Sequence, residues 1–460
     1  MKKIYIFGAL ACIFSACKPS VNITVPATSG EAVFTSYLAI GNSLTAGYSD
    51  NSLYVTGQLN SYPQRLFEQF SMLADHPAKG PFYQPLLSGD MGFGPDGAGN
   101  NNRPRKVVGY SYGCLGDTSI GGVDLPGFAP DASDAKPYVS PKHQVNNIGV
   151  PGIRAADYSV PFYASFNIYA GRFYYNIAGT PLDELLYRVN NIHPTFITMW
   201  LGANDVLGYA TSGGQGDGTG NATPGAFGIY NPNDITPPSV FKLNYDTAVA
   251  VATSVGAKGA LINIPDISTI PFFTTIPING LYISRQSLAD SLTAFYASMN
   301  YVFSLGANQF IIRDHAGNLR QSVPGELILI TTPADSLTCA GWGSFKAIPD
   351  QYVISTDELQ NIKTFTTRYN EIIKAAADRN HLAYVDMFTY MGTLQSGIVY
   401  NGIKYNAQYI AGGAFSLDAV HLTPRGYAIV ANKIISTIND FYHSTIAPVD
   451  VNKYHGILFP

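Results

Sequence analysis

The residues of this chain that could do chemistry lie far apart. Near the C-terminus, Leu417-Asp418-Ala419-Val420-His421-Leu422-Thr423-Pro424 puts a carboxylate three residues before an imidazole. In a turn, that spacing lets Asp418 accept the Nδ1 proton of His421 and leaves Nε2 free to act as a base. Near the N-terminus, Tyr37-Leu38-Ala39-Ile40 runs into Gly41-Asn42-Ser43, a small-residue turn that presents one hydroxyl. A serine in such a place is commonly only a turn former or a helix N-cap; an imidazole base within reach would make it a nucleophile. Two other runs end in a comparable way, Ile148-Gly149-Val150-Pro151-Gly152 and Leu201-Gly202-Ala203-Asn204-Asp205. Gly152 has a backbone N–H that no Cβ obstructs, and Asn204 carries a side-chain NH2. With the Ser43 amide, these are the donor types that meet a developing oxyanion. Together the four pieces would carry out acyl transfer through a serine nucleophile.

For them to meet, something must gather them at one edge. Short apolar runs bounded by turn residues alternate with stretches of helical period, the pattern of a parallel sheet covered on both faces by helices. Strands are predicted near residues 36–40, 144–149, 195–201, 258–264 and 382–386, and helices near 62–73, 181–191, 239–255, 356–379 and 423–442. Thr423 suits an N-cap, and Pro181 and Pro424 suit first-turn positions. Ser43, Gly152 and Asn204 then fall at or just beyond carboxyl ends of strands, where open parallel sheets form their sites. Asp418 and His421 fall in the loop before the last helix.

Composition agrees with a large folded domain. The chain has 460 residues, of which 46% are hydrophobic, and its net charge is −4. There is no basic field for a phosphate backbone, which argues against nucleic acid as a partner. Three long insertions lie at about residues 78–142, 209–237 and 265–355, the first two rich in the chain's Gly (45) and Pro (29). Loops of such length are usually functional or mobile, and the third, with its own predicted helix near residues 285–305, could form a small cap. The remaining histidines lack a carboxylate at a useful offset, and no metal-ligand spacing is present, so no metal or organic cofactor is expected. The aromatic run at residues 158–175 (YSVPFYASFNIYAGRFYY) could floor an acyl-chain or sugar site or simply anchor loops.

In each of its four blocks the chain resembles the SGNH hydrolases of the GDSL esterase and lipase family. The resemblance implies a three-layer α/β/α, flavodoxin-like fold with a central parallel sheet of about five strands. It also implies Ser43 as nucleophile, Asp418 and His421 as its partners, and Ser43, Gly152 and Asn204 as oxyanion donors. The family's first block usually reads Gly-Asp-Ser-Leu; here Asn42 takes the place of the aspartate, which is not the acid partner of the imidazole. The G-x-S-x-G elbow of the other large hydrolase fold is absent around Ser43.

The N-terminus reads as a targeting segment. Lys2 and Lys3 precede an apolar run from Ile4 to Ala16, shorter than the about 20 residues a membrane-spanning helix needs. Residues 1–16 thus resemble a signal peptide. Phe14-Ser15-Ala16-Cys17 resembles a bacterial lipobox, with Cys17 as the lipidated residue and 17–31 (ending KPSVNITVPATSGE) as a tether. The expected place is the bacterial cell envelope, outside the cytoplasm and held to a membrane by lipid. Residues 32–460 then form one elaborated domain. Cys114 and Cys339 are left as either a long-range disulfide or two buried thiols. The expected activity is a lipid-anchored serine esterase acting on a small ester, an acylated lipid or an O-acetylated glycan. The alternative is a surface binding protein that keeps the hydrolase fold without turnover. Nothing in the sequence fixes an oligomeric state.

Overall fold

The computed structural model describes residues 26–96, 103–116, 118–138 and 144–459. Residues 1–16, expected to be a signal peptide, Cys17 and most of the expected tether lie outside the described residues, as does the Gly-rich centre of the first insertion.

Five strands form one sheet: β1 (Tyr37–Gly41), β2 (Asn147–Gly149), β3 (Phe196–Trp200), β4 (Lys258–Ile262) and β5 (Ala383–Val385). Their spatial order is β5-β4-β3-β1-β2, and every pairing is parallel. A parallel sheet is covered on both faces, so its strands must be apolar throughout. Every residue of β1 and β3 is buried, accordingly. The chain starts one strand in from an edge, moves outward to β2 and then crosses back over β1 to β3. Right-handed crossovers therefore put the first connecting helix on one face and the later ones on the other.

The principal helices are α1 (Tyr62–Phe70), α2 (Pro181–Ile192), α3 (Asn204–Thr211), α4 (Pro238–Thr253), α5 (Thr356–Arg379) and α6 (Pro424–Tyr442). Helix α6 packs on α1, whereas α4 packs on both α2 and α5; with the sheet between them these make three layers. Local chemistry sets the helix starts. Thr180 caps α2 by accepting from the Asp183 amide, and Ser355 caps α5 in the same way through Glu358. Thr423 accepts from the Gly426 amide at the head of α6. Such caps contribute about 0.5–2 kcal/mol each. The last of them fixes where α6 begins, and so where the His421 loop ends.

The insertions carry structure of their own. Within the first, Lys106–Tyr112 pairs antiparallel with Thr118–Asp124. The third holds a helix at Gln286–Phe295, shorter than expected, and two small apolar clusters separate from the main core. A disulfide joins Cys114, in the tight turn of the hairpin, to Cys339 beside a short helix of the third insertion. Among the described residues no helix is long and apolar enough to cross a membrane.

Candidate active site

At the carboxyl end of β1 the chain turns sharply into a short helical segment, Ser43–Ala46. Gly41 is required there: a Cβ would strike the Thr45 side chain and the Trp200 carbonyl. Asn42 caps the segment, its Oδ1 accepting from the Leu44 amide at 3.1 Å. An aspartate would accept the same bond, so its replacement keeps the turn. Ser43 stands at the first helical position, whose N–H has no acceptor within the helix.

The loop before α6 brings the imidazole to this hydroxyl. His421 Nε2 lies 2.8 Å from Ser43 Oγ, and Nδ1 lies 2.9 Å from Asp418 Oδ2. The loop is a tight turn closed by the carboxylate itself: Asp418 Oδ1 accepts from the amides of Val420 and His421. That turn holds Ala419 at φ 62°, a left-handed conformation that costs an alanine about 1–2 kcal/mol. The Phe272 amide donates to the Ala419 carbonyl at 3.0 Å and pins the turn from the third insertion. The Tyr48 ring packs against the imidazole, with centroids 4.6 Å apart.

Two further donors reach Asp418, the Asn51 amide at Oδ2 and the Ser416 hydroxyl at Oδ1. Burial pushes this carboxyl up. The charge of the His421 ring and the surrounding hydrogen bonds outweigh burial and hold it well below the usual carboxylate range. The Asn51 contact comes from a turn that sequence reasoning passed over. Asp50 and Asn51 both adopt positive φ, 50° and 65°, which Asp and Asn tolerate better than other residues with a Cβ. Asp50 accepts from the Leu417 amide and the Tyr54 hydroxyl, and its own amide donates to the Ser416 hydroxyl, so with the Asn51 contact the turn grips the loop at three points. The Asp50-Asn51 pair was the available signal.

Across the site, Gly152 lies three residues beyond β2 at φ 84° and is exposed. Asn204 is the first residue of α3, and one of its Nδ2 protons goes to the Ile153 carbonyl at 2.9 Å. An amide nitrogen carries two protons, so the second is left for another acceptor. The two loops are clamped together next door. Asp205 is fully buried and accepts from the amides of Ala155 and Ala156. Burial pushes Asp205 up to about 6, those amides offsetting only part of it. Sequence reasoning quoted Asp205 without assigning it a part.

Ser43, Gly152, Asn204, Asp418 and His421 all line one open cleft of about 480 Å³. Each insertion contributes to its surroundings. Pro95 and Arg103 come from the first and Phe272 from the third. Phe227 of the second packs against Phe166, which lines the cleft. A second, smaller cavity of about 40 Å³ also opens on Ser43, walled in part by Ile267 and Ile270 of the third insertion. The rest of that insertion builds its own apolar clusters.

Neither the comparison with curated proteins nor that with solved structures returned a match. The family model described as GDSL-like Lipase/Acylhydrolase matches residues 37–434, which span the sheet from its first strand to the last helix and hold every residue of the cleft named above. Sheet order, site placement and that match lead to one assignment: the chain belongs to the GDSL-like lipase and acylhydrolase family, whose members hydrolyse ester bonds.

Proposed function

We propose that this protein is a serine esterase in which Ser43, His421 and Asp418 act as nucleophile, base and orienting acid. The observation that carries this reading is the continuous hydrogen-bonded line from Ser43 Oγ through both ring nitrogens of His421 to Asp418. A serine hydroxyl is a weak nucleophile at neutral pH, so the imidazole takes its proton as Oγ attacks the ester carbonyl. Asp418 keeps Nδ1 protonated and stabilises the imidazolium that forms. The amides of Ser43 and Gly152 and the free Nδ2 proton of Asn204 receive the oxyanion. His421 then protonates the leaving alcohol. Water activated by the same ring breaks the acyl-Ser43 bond and releases the acid.

The proposal extends to location. Cys17 carries a lipid after removal of residues 1–16, and the enzyme works outside the cytoplasm at the end of a short tether. Incorporation of radiolabelled palmitate in a bacterial host, lost in Cys17→Ala, supports this; equal incorporation in both forms overturns it.

A fluorophosphonate probe tests the chemistry. Intact protein should label on Ser43; labelling should vanish in Ser43→Ala and fall steeply in His421→Ala. Absence of labelling in the intact, folded protein would favour a binding-only role for this fold.

A further inference from the structure

Two cavities of unlike size and chemistry meet at the Ser43 hydroxyl. The cleft has about 480 Å³ and the recess about 40 Å³. On that scale a single water needs about 10–15 Å³, so the recess holds roughly three non-hydrogen atoms. Beyond the reacting groups and Asn42, whose Oδ1 is held by the Leu44 amide, its walls are mostly apolar side chains, including Leu44, Ile270, Met391 and Phe415. A hydroxylated group placed there would lose its water and find few partners.

The cleft is wider and adds polar side chains to apolar walls. Asn51 and Arg103 line it together with the aromatic faces of Tyr48 and Tyr169. Its outer rim carries a cluster of phenylalanines: the Phe227 ring lies 6.1 Å from Phe162 and 6.2 Å from Phe166. The three are 44%, 56% and 58% exposed for Phe162, Phe166 and Phe227. Phe162 and Phe227 also hold φ at 59° and 58°, a region unfavourable to bulky side chains. Rings so exposed, on such backbone, add little to the core. Flat apolar faces beside polar side chains do suit a sugar ring, whose CH face stacks while its hydroxyls bond.

Resting on the esterase reading above, we infer that the preferred substrate is a short-chain acyl ester of a carbohydrate. The acyl group, of about two to four carbons, enters the recess, and the sugar occupies the cleft and stacks on the Phe162, Phe166 and Phe227 rim. In the first step the Ser43 Oγ bond to the acyl carbon forms and the bond from that carbon to the sugar oxygen breaks, the sugar leaving with the proton held by His421. In the second, water oxygen bonds to the acyl carbon, the Oγ bond breaks and Ser43 recovers its proton. The recess sets acyl length and the rim sets affinity for the alcohol.

The test uses the full chain with p-nitrophenyl esters from acetate to palmitate and with acetylated xylo-oligosaccharides. kcat/KM should fall about 100-fold between the four- and eight-carbon esters. Ile270→Ala should shift the preference toward longer chains. Leu44→Ala, at a half-buried position, repeats that test without cutting into the core. Phe227→Ala should raise KM for the acetylated oligosaccharide about fivefold more than KM for p-nitrophenyl acetate. An optimum at eight carbons or longer, or equal changes in the two KM values, overturns the inference. A long-chain optimum with faster hydrolysis of phosphatidylcholine vesicles would instead make the cleft a lipid site. Where Ser43 still takes the fluorophosphonate probe, these failures remove only the substrate assignment; where it does not, the esterase reading falls as well.

Discussion

Two carboxylates stand near the cleft, Asp418 on its wall and Asp205 fully buried behind it, and their surroundings drive them in opposite directions. Asp418 collects donors on both oxygens, among them an imidazole that becomes a cation during the proposed reaction, and is held far down. Asp205 has the amides of Ala155 and Ala156, and burial prevails, raising it to about 6. The same side chain thus does different work in the two places. Where it must stabilise charge it is saturated with donors; where it must hold two loops together a few amides suffice, at the expense of an easily protonated group. The side of the cleft bearing His421 is built for charge, and the side bearing Gly152 and Asn204 for geometry.

That contrast can be broken residue by residue. The largest effect should come from Asp418→Asn, which removes the acceptor that fixes the ring's tautomer: kcat for p-nitrophenyl acetate should drop about 10⁴-fold. A loss under tenfold would mean that the ring is held correctly without the carboxylate. Next is Asn204→Ala, which deletes one oxyanion donor and should lower kcat about 10²–10³-fold, or ~3–4 kcal/mol. Because that bond strengthens only in the transition state, KM should change little. Asp205→Asn leaves every proposed reacting group in place and should lower kcat about ten- to a hundredfold by loosening the clamp. An effect confined to stability would show that the clamp is not positioning anything.

Stability against pH should give the smallest and sharpest separation. Asp205 is raised in the folded state, so its contribution is full below its ordinary 3.8 and is lost as pH rises through about 6. Denaturation of wild type against Asp205→Asn between pH 4 and 7 should show a relative loss on the order of 2–3 kcal/mol with rising pH. Asp418 is lowered, so its contribution is present above the ordinary carboxylate value and is lost as pH falls through its depressed one. The Asp418→Asn comparison should therefore be flat over that range and slope the other way below pH 4. Parallel slopes would contradict the contrast.

How much of this could be read from the residues depends on how local each feature is. The five strands were legible because a sheet buried on both faces writes continuous apolar runs, and α6 because Thr423 and Pro424 mark its start. The His421 turn was legible because both partners lie within three residues of each other. Helix α3 was missed: Gly208 interrupts its short run and the Gly-rich insertion follows directly. The hairpin of the first insertion was missed for a similar reason, since Gly109, Gly121 and Gly122 blur the alternation that marks a strand. The Asp50-Asn51 pair marked a turn, but its target was not legible, because the Asp50 carboxylate accepts from a backbone amide 367 positions away that any residue but proline would offer.

The most direct test of the central claim is to trap the acyl-enzyme. Rapid acid quench of the full chain reacting with p-nitrophenyl butyrate, followed by peptide mass mapping, should find a butyryl group on Ser43 and on no other residue. It should disappear in Ser43→Ala together with turnover. An acyl group on another residue, or turnover persisting without Ser43, would contradict the account.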